Sequence, residues 1–188
     1  MQTNSDHLKD NRRHNIITAS NAYAVIHDRK KLWRQMTFRE PPFEGNDATE
    51  HGKFYEPVAL SALEKELDDI LEPGNKLVVH ENHPIGCSVD ALYNGYPVEI
   101  KCPYSSGVYP SIPDRYYYQV QLQMFVHEKD MAYFYVWTEE ETKLEVIPYN
   151  KKFMAWYMPY ALDFINEYVI KDIEPPRWVK KPTFNIGD

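Results

Sequence analysis

Residues 85–102, IGCSVDALYNGYPVEIKC, hold two strand-like runs, IGCSVDALY (85–93) and YPVEIKC (96–102), on either side of Asn94-Gly95. Asn-Gly suits a two-residue hairpin turn, because both central residues of that turn need a positive φ. Such a turn sets residues whose numbers sum to 189 opposite one another. Tyr93 then faces Tyr96, Asp90 faces Glu99, Ser88 faces Lys101 and Cys87 faces Cys102. Side chains alternate along a strand, so Ser88, Asp90, Glu99 and Lys101 are expected on one side. Val89, Ala91, Val98 and Ile100 are expected on the other, which is apolar throughout.

Two carboxylates placed opposite one another repel and weaken a hairpin. A divalent cation between Asp90 and Glu99 would reverse the sign, and oxygen ligands of this kind suit Mg²⁺, with Mn²⁺ as a substitute. Lys101, two residues beyond Glu99, would put an ammonium beside the attacking water or the phosphate charge, where its surroundings can tune its proton affinity. An isolated ExK is otherwise a solvated strand face. The opposed aspartate and the apolar reverse face argue for chemistry instead.

Working outward, TASNAYAVIHDRKKLWRQM (18–36) reads as a helix opened by a Thr/Ser/Asn cap signal. The polar loop FEGNDATEHG (43–52) leads to a second helix at about 53–70, beginning near Lys53 or Phe54 because Pro57 belongs in a first turn. Leu60, Leu63, Leu67 and Ile70 form its core stripe. EPGN (72–75) is a turn, LVVHE (77–81) precedes the hairpin as a strand, and 114–127 returns to helix. AYFYVWT (132–138) and KLEVIPY (143–149) make a second strand pair, followed by a helix at 151–170 kinked at Pro159. The order predicts an α/β fold, a central mixed sheet flanked by helices, in a single domain over residues 1–188.

With 188 residues, 43% hydrophobic and 26% charged, the chain has the composition of a globular domain. It contains no run of the roughly 18 apolar residues that a membrane span needs. The polar MQTNSDHLKDNRRHN start lacks the apolar core of a signal peptide, so a cytoplasmic protein is expected, in a host cell if phage-encoded. Cys87 and Cys102 are too few for a disulfide framework or a cysteine metal centre and are expected as buried thiols. His80 and His83 stand without an HExxH or paired CxxC motif, so zinc hydrolysis is not expected. A net charge of −7 argues against a protein that coats DNA by bulk charge. Local positive charge would have to come from Arg12–Arg13, from RKKLWR (29–34), or from Arg177, Lys180 and Lys181.

An aspartate followed by ExK on the next strand resembles the PD-(D/E)xK nuclease superfamily with its restriction-endonuclease-like core. Five segments in order, ITAS (17–20), GKFYE (52–56), GCSVDAL (86–92), VEIKCPYSS (98–106) and YYYQVQLQMFV (116–126), resemble the phage λ exonuclease family of YqaJ-type viral recombinases and alkaline exonucleases. The resemblance implies Asp90 and Glu99 as Mg²⁺ ligands with the Ile100 carbonyl, Lys101 as the catalytic lysine, and Glu56 as an acidic residue approaching the metal. It also implies Tyr116 and Gln119 as active-site residues. Arg13, with Arg12 as the alternative, would join Ser20 and Ser88 in a pocket for a terminal 5′-phosphate, chemistry that arginine and hydroxyl groups suit.

The function so implied is a 5′→3′ exonuclease on double-stranded DNA that leaves 3′ single strands for homologous recombination. It would work as a ring-shaped homotrimer with a single-strand annealing protein as partner. The alternatives are an endonuclease or resolvase built on the same core, and a non-catalytic DNA-binding assembly protein. A terminal-phosphate pocket discriminates against the first, and two opposed carboxylates against the second.

Overall fold

Asn94 and Gly95 adopt φ of 53° and 76°, the left-handed pair that a two-residue hairpin turn demands. Around this turn the computed structural model describes residues 15–41, 44–176, 184 and 186. The chain runs β1 (Ile17–Thr18), a 3₁₀ turn (Ala19–Asn21), α1 (Ala22–His27), α2 (Arg29–Met36), α3 (Asp47–Leu67), β2 (Glu72–Pro73), β3 (Val78–Val79) and β4 (Ile85–Cys87). It continues through β5 (Ala91–Tyr93), β6 (Tyr96–Lys101), α4 (Asp114–His127), β7 (Met131–Trp137), β8 (Thr142–Pro148), α5 (Lys151–Asp163) and a π-helical turn (Phe164–Val169).

Two mixed sheets result: a three-stranded one ordered β1-β4-β3 and a five-stranded one ordered β2-β5-β6-β7-β8. The first contains the parallel pair β1/β4 and the second the parallel pair β6/β7; the remaining pairs are antiparallel. Strand alternation divides the core. Ala132, Phe134 and Val136 of β7 join Leu122 of α4 and Phe153 and Tyr157 of α5 on one face. Tyr135 joins Ala91, Val98, Ile100 and the α3 residues Ala59 and Leu63 on the other. The expected α/β layering is present, with α3 on one face of the larger sheet and α4 on the opposite one.

The hairpin register agrees with the turn arithmetic for Tyr93–Tyr96, Leu92–Pro97 and Ala91–Val98, and then departs from it. Residues 85–93 are two strands in different sheets, joined by a crossing at Ser88–Asp90. Cys87 and Val89 therefore pack in the α4-side core, whereas Ala91, Val98 and Ile100 pack on the α3 side. None of Asp90–Glu99, Ser88–Lys101 and Cys87–Cys102 is a ladder pair; both thiols are free, Cys87 buried and Cys102 half-buried. Gly74 belongs to this crossing, since a Cβ there would lie 2.6 Å from the Val89 side chain and carbonyl. The EPGN segment accordingly supplies β2, which pairs with β5, rather than only a turn.

The helices also differ from expectation in their limits. The expected 18–36 helix is divided, with Asp28 leaving helical geometry at φ −148°, ψ 48°. There the Arg29 guanidinium, 6% exposed, turns under α5 to bond the Tyr160 carbonyl and Asp163. Helix α3 starts at Asp47 because the Asn46 side chain accepts from the Thr49 amide, with Asp47 and Glu50 in the favoured first turn. Pro57 therefore sits inside α3, where its exposed side leaves the unpaired carbonyl to water. The helix ends at Asp68, which is left-handed, so Ile70 lies beyond it and is 84% exposed instead of in the core. Helix α5 continues through Pro159, and its hydrogen bonding widens only at Phe164.

Candidate active site

Glu99 is the centre of the site. It lies on β6 between Val98 and Ile100, facing α4, and is 1% exposed. The open polar face expected of this strand is thus roofed by a helix. Three donors satisfy the carboxylate: Lys101 Nζ and Gln119 Nε2 (2.6 Å) donate to Oε1, and Gln123 Nε2 donates to Oε2. A buried carboxylate needs such donors to replace the water it has lost. Gln119 and Gln123 are one helical turn apart, so both side chains fall on the face of α4 that covers β6. Gln123 is fully buried and was not singled out from the sequence, although the i, i+4 glutamine spacing in QVQLQ carried the signal.

Asp90 ends the crossing between the sheets. Its amide donates to the Val98 carbonyl (3.2 Å), and its Oδ2 accepts from the Ile100 amide (2.7 Å). A residue in an extended strand directs its N–H and C=O to the same edge, so the Ile100 carbonyl also points to the Asp90 side. Burial, then the charge of Glu99, pushes the Asp90 carboxyl well above the usual range, against the pull of Lys101 and the Ile100 amide. Half-buried Glu56, on α3, is raised by burial and by Glu99, while Lys101 opposes.

Lys101 sits 5.0 Å from the Tyr116 ring centroid. Burial works against its ammonium, but the charges of Glu99 and Asp90 and the hydrogen bond to Glu99 outweigh it, so the proton is held more tightly than in a free lysine. Lys101 is therefore a donor and a positive charge in this state, not a base. Tyr116 also accepts from Arg115 Nη2 at 2.9 Å, and the guanidinium lies 4.6 Å from the ring. Arg115 thus adds a cation beside the site. Burial, then the Tyr116 hydroxyl, pushes the neighbouring Tyr109 phenol up to about 12.

Ser20 and Ser88 are brought to one end of the smaller sheet. β1 and β4 run parallel, and Ser20 lies in the 3₁₀ turn that follows β1 and Ser88 directly after β4, so both leave the same end of that sheet. Ser20 Oγ and Thr18 Oγ1 lie 3.1 Å apart. Arg13 and Arg12, like Arg177, Lys180 and Lys181, fall outside the described residues. Within RKKLWR, Arg29 is buried on Asp163, and Lys30 and Arg34 both meet Glu174, so much of that basic cluster is already neutralised. His80 and His83 pack against Phe125, with ring centroids 4.5 and 5.6 Å away.

Among the described residues, no three His, Cys, Asp or Glu side chains are grouped to hold an ion unaided. Mg²⁺ keeps several waters and commonly takes only one or two carboxylates. The hard oxygens of Asp90, Glu99 and the Ile100 carbonyl fit that requirement. Burial and the neighbouring Glu99 charge both raise Asp90 and Glu56, and a divalent cation would offset that cost.

Residues 9–130 match the YqaJ-like viral recombinase domain. The chain belongs to the YqaJ-like viral recombinase family. Among solved structures, this YqaJ-like chain is similar to the alkaline exonuclease LHK-Exo from Laribacter hongkongensis, at 22% identity and TM-score 0.71 over 86% of this chain and 91% of that one. The structure of LHK-Exo in complex with dAMP matches over the same shares, at 20% identity and TM-score 0.71. A phage-related exonuclease from Haemophilus somnus 129PT matches at 14% identity and TM-score 0.67, over 83% and 94%. A search of curated proteins found no match. The YqaJ-like chain therefore shares the fold of the alkaline exonuclease LHK-Exo, and none of its described helices is long and apolar enough to cross a membrane.

Proposed function

We propose that this chain is a Mg²⁺-dependent exonuclease that degrades duplex DNA 5′→3′ from 5′-phosphorylated ends, leaving 3′ single strands for recombination. The observation that carries this reading is the convergence of Glu99, Asp90 and Lys101 at the end of β6, with Glu99 clamped by two glutamines of α4. Such a clamp orients a charged group that has work to do at one point in space. Family membership adds the recombination context, and we extend the proposal to a homotrimer with an annealing-protein partner.

Asp90, Glu99 and the Ile100 carbonyl would hold a divalent cation, whose chemistry is to polarise the scissile phosphate and make water a better nucleophile. Glu56 would accept from the attacking water at the edge of this group. Lys101 donates to the charge that develops on the phosphoryl oxygens, and Tyr116 keeps its ammonium in place. Water adds to phosphorus, the bond to the 3′ oxygen breaks, and that oxygen leaves protonated on the released mononucleotide. The new end of the remaining strand carries a 5′-phosphate, which is the group that Arg13, Ser20 and Ser88 would bind. Each turnover thus regenerates the feature that the pocket recognises.

The test uses 5′-phosphorylated linear, 5′-hydroxyl linear and closed circular duplexes, each with Mg²⁺ or EDTA. A charge-assisted hydrogen bond to phosphate contributes about 1.5–3 kcal/mol, so the phosphorylated end should start about tenfold to a hundredfold faster. Arg13→Ala should remove the preference. Nicking of closed circles at the rate of end degradation would instead support an endonuclease with the same three residues.

A further inference from the structure

On the α3 side of the larger sheet, next to Glu56, lies a group of aromatic rings. Lys101 pairs in register with Val136, so Trp137 follows directly at the ends of β6 and β7. Trp137 stacks on Tyr55 with centroids 5.3 Å apart and planes at 27°. Tyr55 precedes Glu56 on α3 and touches Phe54 at 5.0 Å and His51 at 4.5 Å. His51 meets Tyr104, three residues after Lys101, edge-on at 5.4 Å. Five rings from three segments therefore make one continuous surface on the α3 side, beginning at Tyr55 beside Glu56. Its outer members are wet, Phe54 being 72% exposed and Tyr104 58%.

Single exposed apolar residues are ordinary, but a contiguous group marks a binding surface. The surroundings say what it takes. Tyr55 donates to Glu139 at 2.9 Å, so the rim is acidic and repels phosphates, while ring faces accept any flat π-system. Nucleobases offer such faces whatever their sequence. We propose that this shelf stacks the unpaired bases of the DNA strand whose backbone enters the catalytic site, an inference that rests on the nuclease function proposed above. With much of RKKLWR already paired to carboxylates, stacking supplies affinity that phosphate contacts do not.

The experiment measures anisotropy of a fluorescein-labelled oligo(dT) in EDTA, against a strand of abasic spacers with the same number of phosphates. Loss of a stacking side chain weakens ssDNA binding by about fivefold to a hundredfold per base. The wild-type protein should therefore bind oligo(dT) at least about tenfold more tightly than the abasic strand. The double variant Phe54→Ala/Tyr104→Ala should lose that difference without changing affinity for the abasic strand. Tyr104→Trp, which keeps a ring, should retain it, whereas Tyr104→Ala alone should weaken it, and the Tyr104→Ala variant decides the matter if the double variant fails to fold. Equal binding of the two strands by the wild type, or an undiminished oligo(dT) preference in the folded double variant, overturns the shelf. Duplex cleavage in Mg²⁺ separates the two ideas. Cleavage without an oligo(dT) preference refutes the shelf alone, and a preference without any cleavage refutes the nuclease.

Discussion

Gln123 offers a sharp separation of catalysis from stability. Its Nε2 donates to Glu99 Oε2, whereas its buried Oε1 has no partner among the described residues. Gln123→Leu keeps the volume and removes both groups. Losing a hydrogen bond to a charged acceptor costs about 1.5–3 kcal/mol, and losing an unpaired buried carbonyl returns about 1–3 kcal/mol. The two nearly cancel, so the urea midpoint in EDTA should correspond to a change of about 1 kcal/mol or less. Catalysis has no such offset, because Glu99 loses one of three donors and gains freedom to turn. If the lost bond is felt in cation affinity, half-saturating Mg²⁺ should rise about tenfold to a hundredfold. Initial rates titrated with Mg²⁺, read beside urea denaturation, check both numbers. A variant that loses more than about 3 kcal/mol of stability yet shows wild-type Mg²⁺ dependence and turnover would refute the reasoning, and Gln123 would be packing alone.

The two carboxylates should respond in opposite ways to neutralisation. Asp90→Asn should stabilise the EDTA-treated protein at neutral pH, since burial and Glu99 already favour the uncharged carboxyl, while Glu99→Ala should cost roughly 3 kcal/mol by leaving Lys101 and two amides without their acceptor; both should abolish cleavage, and thermal melts with a nuclease assay check this. For pH, Asp90 and Glu56 hold protons more tightly folded than unfolded. Their contribution to metal-free stability is full below the unfolded carboxylate pKa of about 4 and is lost as pH climbs to the folded values. Urea midpoints in EDTA should therefore fall from about pH 4 toward neutrality, and Mg²⁺ should flatten the fall. Lys101→Ala should lose most turnover while keeping DNA binding, and Lys101→Arg should not rescue fully because a guanidinium differs in shape and donor geometry; single-turnover rates beside anisotropy test this, and an active Lys101→Ala would leave the lysine as no more than the ion-pair partner of Glu99.

The turn at Asn94-Gly95 was legible because only a few residue types accept its backbone, and with it came the β5/β6 register and the position of Glu99 and Lys101 on one strand. Two features were not legible, for different reasons. Apolar and polar residues alternate through Cys87, Ser88, Val89 and Asp90 as they would in one strand, and alternation carries no information about which sheet receives them. Nor does it distinguish a polar face open to water from one roofed by glutamines, so the burial of Glu99 waited on the placement of α4. The start of α3 is not legible from Pro57, which suits a first turn, because the Asn46 cap and the acidic first turn outweigh one lost hydrogen bond on an exposed side. Family resemblance selected Tyr116 and Gln119, which their spacing alone does not separate from core residues, and passed over Gln123.

The crossing at Ser88–Asp90 has one more consequence. It lets a single stretch of chain serve two sheets, so Ser88 travels with the smaller sheet and Asp90 with the larger, only two residues apart. Two residues span at most about 7 Å. Under the proposed function this dipeptide step is a ruler: it sets the distance from the anchored end of the strand to the bond that is cut, and a rigid ruler of this length yields products of one size. An inserted residue between Ser88 and Asp90 would then lengthen the product before it slowed the enzyme, and the ladder of fragments on a gel would record the geometry of the crossing.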